Sequence, residues 1–320
     1  MTSVELPSPL RAALERELAG ASRRDLAQRS AATTAAYRGG AGSSTAIKGA
    51  GDALAYALTR LPATYAACAV AFEEAARTAP GFAPVSLLDA GSGPGTASWA
   101  AREAWPSLRR IDWFDASPLF LALAQRLAED QLEAEARHGD LTAGDFPRAD
   151  LVVASYALAE IAPAAQARVV QDLWAAAEGL LVLVEPGTPA GFERLRAARS
   201  VLIAAGAGIA APCPHAAPCP IVAPDWCHFS VRLPRSRDHR LAKGADAPFE
   251  DEKYAYVAAA RPHVALQPAA SRILTRPRMT KPGIELKLCR VEGIQHAHVP
   301  RRDKPALAAA RRLDWGDSWP

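Results

Sequence analysis

The chain has 320 residues, half of them apolar and 22% charged, with a formal net charge of +3. This length and apolar content exclude disorder throughout and allow one large domain or two. No apolar run approaches the ~18 residues of a membrane-spanning helix. The opening MTSVELPSPLRAALERELAG has no basic segment followed by an apolar stretch, so the expectation is a soluble cytoplasmic protein whose five cysteines remain thiols.

In chain order, residues 1–80 read as a helical region: Leu10, Leu14 and Leu18 recur at helical spacing, and a glycine-rich loop at 39–44 separates its two parts. Residues 81–204 read as a cofactor-binding domain. Strands are predicted at 85–89, 110–114, 151–155 and 180–185, with helices at 97–104, 119–129 and 164–177 between them. That alternation implies an α/β fold with a doubly wound parallel sheet. Residues 205–300 read as a Cys-rich and basic region, aperiodic over 205–230 and with strands at 229–233 and 284–291. Residues 301–320 read as a tail.

The turn after the first strand is Asp89-Ala90-Gly91-Ser92-Gly93-Pro94-Gly95-Thr96. Alternate glycines permit positive φ and leave room for a ligand at the carboxyl edge of the sheet. A dinucleotide fingerprint needs its third glycine at position 96, which is threonine. The spacing instead resembles motif I of class I S-adenosylmethionine-dependent (Rossmann-like) methyltransferases. Asp115, ending the second strand, is placed to accept ribose hydroxyls, and Asp140 fits the place where that superfamily contacts adenine. The Asn/Asp-Pro-Pro-aromatic motif is absent after the strand at 151–155, where Ala154-Ser155-Tyr156-Ala157-Leu158 stands. Glu185 is the one candidate base.

Cys213, Cys219 and Cys227 follow a C-x5-C-x7-C spacing, with Cys289 available as a fourth ligand. Structural zinc favours tighter knuckles, and four thiolates are the usual ligands of an iron–sulfur cluster. Three readings stay open here: a [4Fe–4S] cluster, zinc (with His215 or His228 contributing), and unliganded thiols. Cys68, inside an apolar helical run, reads as a buried small hydrophobe. Charge is segregated: residues 231–320 hold 18 Lys+Arg against 10 Asp+Glu, leaving −5 for the first 230. Within the basic part Arg232, Arg235, Arg237, Arg240 and Lys243 are the candidate RNA contacts. The run Glu250–Lys253 reads either as an exposed helix start or as a functional contact.

Together, Arg60-Leu61-Pro62-Ala63-Thr64-Tyr65, the turn at 89–95, Glu185-Pro186-Gly187-Thr188-Pro189, Asp225-Trp226-Cys227-His228-Phe229, Phe249-Glu250-Asp251-Glu252-Lys253 and Asp314-Trp315-Gly316-Asp317 resemble the methyltransferase-like proteins of the small ribosomal subunit, known from mitochondria, and their bacterial relatives. The resemblance implies a methyltransferase-type cofactor fold, S-adenosylmethionine as cofactor, a four-cysteine iron–sulfur site at Cys213, Cys219, Cys227 and Cys289, and association with the small subunit or its rRNA precursor during assembly. The absence of an Arg- and Ser-rich leader favours a bacterial cytosol. Two alternatives accompany this expectation: an active rRNA methyltransferase, and a zinc-containing small-molecule methyltransferase.

Overall fold

The computed structural model describes residues 3–38 and 42–320, so positions 39–41 of the expected glycine-rich loop lie outside the described residues. Four helices come first: α1 (Ser8–Leu18), α2 (Arg23–Arg38), the short α3 (Ser43–Ala46) and α4 (Ala50–Thr78). Ser43 therefore opens a helical turn where loop was expected. α4 runs 29 residues straight through Pro62. Its alanines at 55, 57, 63, 66, 67, 71 and 75 are fully buried, which lets α5 and the sheet approach its backbone closely; this packing outweighs the hydrogen bond lost at proline. Among the described residues no helix is long and apolar enough to cross a membrane.

The α/β part comprises β1 (Ser86–Ala90), α5 (Thr96–Ala104), β2 (Arg110–Asp115), α6 (Pro118–Ala128), β3 (Ala134–His138), β4 (Ala149–Ser155), α7 (Pro163–Ala176), β5 (Ala177–Pro186), α8 (Pro189–Ala204), β6 (Gly208–Ala211), β7 (Phe229–Pro234), α9 (Arg237–Lys243) and β8 (Phe249–Ala260). The sheet order is β3-β2-β1-β4-β5-β8-β6, with β7 also on β8. The first five strands are parallel, and β8 is antiparallel to β5, β6 and β7. β1 is buried at every position, as a parallel strand covered on both faces requires. Edge strand β3 is polar and mostly exposed, which blunts edge-to-edge pairing.

A boundary at 204/205 does not exist in this fold. β6 and β7 lie in tandem along the outer edge of β8: Ala211 pairs with Ala258 and Phe229 with Tyr254. The segment 212–228, carrying three cysteines, is thrown off between them. Glu250–Lys253 lies within β8, so the helix-start expectation is corrected. Cross-strand pairing with β7 sets Glu250 opposite Leu233 and Asp251 opposite Arg232, and the acidic run is stabilised by basic neighbours.

A second, antiparallel sheet holds β9 (Arg272–Ile273), β10 (Arg278–Met279), β11 (Gly283–Arg290) and β12 (Gly293–Pro300), followed by α10 (Lys304–Ala310). β9 and β10 share one edge of β11, and β12 takes the other. Residues 301–320 are not a loose tail. Leu307 and Ala310 are buried in the small sheet's core with Leu313 and Trp319 packed against it, and Ser318 bridges to Arg272.

Arg272, 1% exposed, joins the two sheets. Its guanidinium donates to Pro212 O (2.8 Å), Gly316 O (2.6 Å) and the Glu74 carboxylate of α4. Arg272→Met removes all three and should destabilise the fold by about 3 kcal/mol, because two carbonyls lose their donor and the partly buried Glu74 carboxylate is left with Arg77. Urea denaturation checks this, and Glu74→Gln in the same chain should recover part of the loss.

Candidate cofactor cleft and four-cysteine cavity

The turn at 91–95 is held over the end of β2: the Gly91 and Ser92 N–H groups donate to Phe114 O at 2.7 and 3.2 Å. Gly91 takes φ +73°, and a Cβ there would lie 2.7 Å from that of Ala157, so glycine is obligatory. At Gly93, φ +53°, a Cβ would meet nothing within 4 Å. The backbone is thus shaped toward open space, as a ligand cradle requires. Gly95, also at positive φ, caps α5.

Asp115 closes the cradle. One carboxylate oxygen accepts the Gly93 N–H (2.8 Å) and the other the Ser117 N–H (2.7 Å). Burial raises its pKa against those two bonds, and each oxygen keeps a lone pair for a hydroxyl donor. Asp89 is fully buried. One of its oxygens accepts from the Ser98 N–H (3.1 Å) and hydroxyl (2.7 Å), and Trp113 Nε1 donates to the same hydroxyl (3.0 Å). The other oxygen has no partner, and burial pushes the carboxyl up to about 7. Ser92 is buried within the turn. The Gly139 N–H donates to Asp115 O (3.1 Å), bringing Asp140 to the same sheet edge. Asp140 is exposed and caps a 3-10 turn through the Thr142 N–H and hydroxyl, both at 2.7 Å.

Glu185, the candidate base, lies at the end of β5, and burial raises the pKa of its carboxyl. It is 1% exposed and accepts from Arg194 Nε at 2.7 Å, which makes it a buried ion pair behind β5. The position after β4 is filled instead by Tyr156, at φ +58°. Its hydroxyl donates to Glu252 (2.9 Å), Arg60 Nη2 lies 3.4 Å from the same carboxylate, and the guanidinium sits 5.9 Å over the Tyr156 ring. Nearby, Glu160 accepts from the Ser43 N–H (2.7 Å) and hydroxyl, and Tyr56 packs on Phe120. Arg60 and Glu252 stood inside motifs noted in the sequence, but no spacing rule joins residues 192 positions apart.

The four cysteines meet. Cys213, Cys219 and Cys227 from the 212–228 segment and Cys289 from β11 line one cavity of about 50 Å³, with Arg199 and Arg272 in its wall. Burial raises the thiol pKa of Cys213 despite Arg199 beside it. It raises Cys227 well above the ordinary value, with the other three sulfurs adding to it, and pushes Cys289 up to about 12. Arg199, 6% exposed, donates to His215 O (2.7 Å) and Ala217 O (2.9 Å) but to no carboxylate, and its Nε has no partner. Among the described residues no three His, Cys, Asp or Glu side chains gather closely enough for a single metal ion. His215 Nε2 lies 3.8 Å from Cys289 Sγ, and His228 stacks on Trp226. Cys68 is fully buried in α4.

The candidate RNA contacts are largely neutralised. Arg232 pairs with Asp251 (2.7 Å) and stacks over Phe249, while Arg235 (3.1 Å) and Lys243 (2.7 Å) both pair with Glu250. Burial pushes the Glu250 carboxyl up, but bonds to His239, Lys243 and Arg235 outweigh it and hold the pKa far below the usual range. Arg240 has a buried Nε without a partner, and Arg237 is exposed. Three of the five candidates are therefore tied into an ion-paired seam along β8.

Residues 50–320 match the family model described as mitochondrial small ribosomal subunit Rsm22. This chain belongs to the Rsm22 family. A curated relative, the human mitochondrial ribosome assembly protein METTL17, is 32% identical over 292 residues, covering 84% of this Rsm22-family chain and 63% of that protein, so the chain spans less than two thirds of that relative's length. Among solved structures, the magnesium protoporphyrin IX methyltransferase of Synechocystis PCC 6803 with bound SAM is 15% identical, covering 62% of this chain and 79% of that one at a TM-score of 0.42. A putative RNA methyltransferase from Pyrococcus horikoshii is 11% identical, with coverage of 60% and 83% and a TM-score of 0.41. The fold is that of the class I methyltransferases: parallel strands ordered 3-2-1-4-5, then an antiparallel strand inserted before the last.

Two outcomes follow from the cradle. Gly93→Arg, filling the open space with a guanidinium, should abolish S-adenosylmethionine binding measured by calorimetry, and Asp115→Ala should weaken it by about 1–3 kcal/mol. Asp89 is protonated in the folded chain up to about pH 7, whereas an exposed aspartic acid ionises near ~4. The folded state thus binds an extra proton between those values, and unfolding free energy falls as pH rises through them. Urea midpoints from pH 4.5 to 7.5 should decline less steeply for Asp89→Asn than for the parent.

Proposed function

We propose that this Rsm22-family protein binds S-adenosylmethionine in the β1–β2 cradle, carries an iron–sulfur cluster on its four cysteines, and acts on the small ribosomal subunit by binding its RNA during assembly. The observation that carries the reading is that the family match over 50–320 runs through both the glycine cradle and the four-cysteine cavity. The ribosomal partner follows from what the family and its human member are named for.

The cradle fits the cofactor. Gly91 and Gly93 leave backbone where a side chain would obstruct, Asp115 offers acceptors for ribose hydroxyls, and Asp140 shares the edge. Bound S-adenosylmethionine supplies a sulfonium-activated methyl group. Beside it, Tyr156 tied to Glu252 and Arg60 occupies the place of the missing amino-positioning motif, and Glu185 is withdrawn into an ion pair. These features favour binding without turnover over an active rRNA methyltransferase.

The four cysteines line one cavity, four thiolates are the usual ligands of an iron–sulfur cluster, and they would supply a counter-charge to Arg199, which among the described residues pairs with no carboxylate. Thiols with raised pKa values must lose protons to ligate, so loading should release protons and depend on pH.

Incubation of the protein with immature small subunits and tritiated S-adenosylmethionine should give co-sedimentation with no transferred label. Label in rRNA establishes the methyltransferase reading instead, and absence of co-sedimentation removes the ribosomal one. Protein purified without oxygen should contain iron and sulfide, each falling on Cys→Ser change at 213, 219, 227 or 289 and unchanged for Cys68→Ser. Stoichiometric zinc without sulfide would overturn the cluster.

A further inference from the structure

The excess of cations in the last ninety residues is not spread evenly once side-chain partners are assigned. Arg232, Arg235 and Lys243 are neutralised by Asp251 and Glu250, Arg272 by Glu74, Arg278 by Glu285 and Lys287 by Asp225. Arg276 reaches Asp251 at 4.0 Å. The side chains of Lys281, Arg301, Arg302, Lys304, Arg311 and Arg312 are all exposed, and among the described residues none of them has a side-chain hydrogen bond or ion pair.

Topology gathers these six at one end of the small sheet. Gly283 pairs with Pro300, and the Arg301 N–H donates to Pro282 O at 2.9 Å, so the β10–β11 turn bearing Lys281 lies against Arg301 and Arg302. Lys304 begins α10, and Arg311 and Arg312 follow its last turn, about 10 Å farther along at 1.5 Å per residue. The one acid in their midst, Asp303, caps α10 through the Ala306 N–H (3.1 Å). Buried Leu307 and Ala310 fix the helix to the sheet core, so the six charges are held on a firm support instead of a mobile tail.

We infer that this unpaired basic rim, Lys281 with residues 301–304 and 311–312, is the surface by which the protein grips the phosphate backbone of small-subunit rRNA. Six clustered cations with the single carboxylate of Asp303 among them keep a net positive charge, repel one another and are relieved by an external polyanion. The rim replaces the ion-paired 232–243 seam as the RNA-facing element. The inference rests on the ribosomal reading above.

The test uses the full chain, a transcript of small-subunit rRNA, and purified small subunits. The triple variant Arg301→Glu, Arg302→Glu, Lys304→Glu is compared with Arg24→Glu, Lys48→Glu, Arg148→Glu, which changes net charge equally on other elements. Rim reversal should weaken transcript binding at least tenfold and flatten the dependence of log K on log salt by about 2, the loss expected for three phosphate contacts. The control triple should stay within threefold of the parent. Arg311→Glu with Arg312→Glu should act in the same direction from the other end of α10. Should reversal shift the urea midpoint, the Gln versions of the rim triple are measured in its place. Equal losses for rim and control triples overturn the inference while leaving the ribosomal reading intact. A parent chain that binds neither transcript nor small subunits removes both. A rim triple that keeps RNA affinity but loses binding to vesicles of anionic phospholipid assigns the rim to a membrane surface and overturns the RNA assignment.

Discussion

Burying the guanidinium of Arg272 is costly, and the fold tolerates it only because three segments supply acceptors at once: Glu74 from α4, Pro212 at the start of the cysteine segment, and Gly316 near the C-terminus. A partly bonded guanidinium in that place would be worse than an apolar residue. The requirement therefore works as a specification: the N-terminal helices, the cysteine segment and the last twenty residues must all be in place together. The backbone of the same residue pairs with Cys289 across β9–β11 and bridges to Ser318. One side chain thus binds the methyltransferase-type sheet to the small sheet and stands in the wall of the thiol cavity.

The placement of that cavity follows from strand geometry. β8 is twelve residues long, whereas β6 and β7 together leave a gap opposite residues 255–257. The chain between β6 and β7 must leave and rejoin the same edge, and the loop it makes closes over Ala255, Tyr256 and Val257 with its cysteines inward. Cys289 comes from the far sheet, so a group held by all four sulfurs would cross-link two sheets that Arg272, the Lys287–Asp225 pair and the Arg276–Asp251 contact also tie. The seven-residue span of β11 from Cys289 to Gly283 then sets the basic rim about 20 Å from the cavity at 3.4 Å per residue. Anything that orders one end of β11 positions the other.

What the sequence made legible was what repeats locally. β1, β2, β4 and β5 are apolar runs bounded by turns, and their predicted ends fall within about three residues of the observed ones. The glycine turn, the carboxylate at 115 and the four cysteines likewise carry their chemistry in residue type and spacing. β3, with sequence Ala-Glu-Ala-Arg-His, has no apolar face to reveal it. β8 carries three acids near its start, which read as a helix start or a functional contact because the residues that neutralise them are remote in sequence: Arg232 on β7, Arg235 after it, Lys243 on α9 and Arg60 on α4. A count of cations cannot show which of them have already met a carboxylate: folding pairs Arg232, Arg235 and Lys243 with Asp251 and Glu250, whereas Arg301, Arg302 and Lys304 have no such partner among the described residues.

The two halves of the cofactor cleft have separated in their demands. On the binding side every position is constrained: a Cβ at Gly91 would clash with Ala157, and Asp115 is fixed by two backbone donors. After β4, at the other side of the cleft, Tyr156 adopts left-handed backbone geometry and hydrogen-bonds through its phenol to Glu252. Burial holds that phenol well above its ordinary pKa, so it is a donor rather than a base. A ligand that binds only the folded state stabilises it by about 2.7 kcal/mol at a hundred times its Kd, whether or not it reacts. In a protein whose four helices, sheet and cysteine segment meet around α4, that linkage is sufficient reason to keep the cradle intact. Constraint on the cradle therefore argues for occupancy, and turnover has to be argued from the other side of the cleft, where Tyr156 stands.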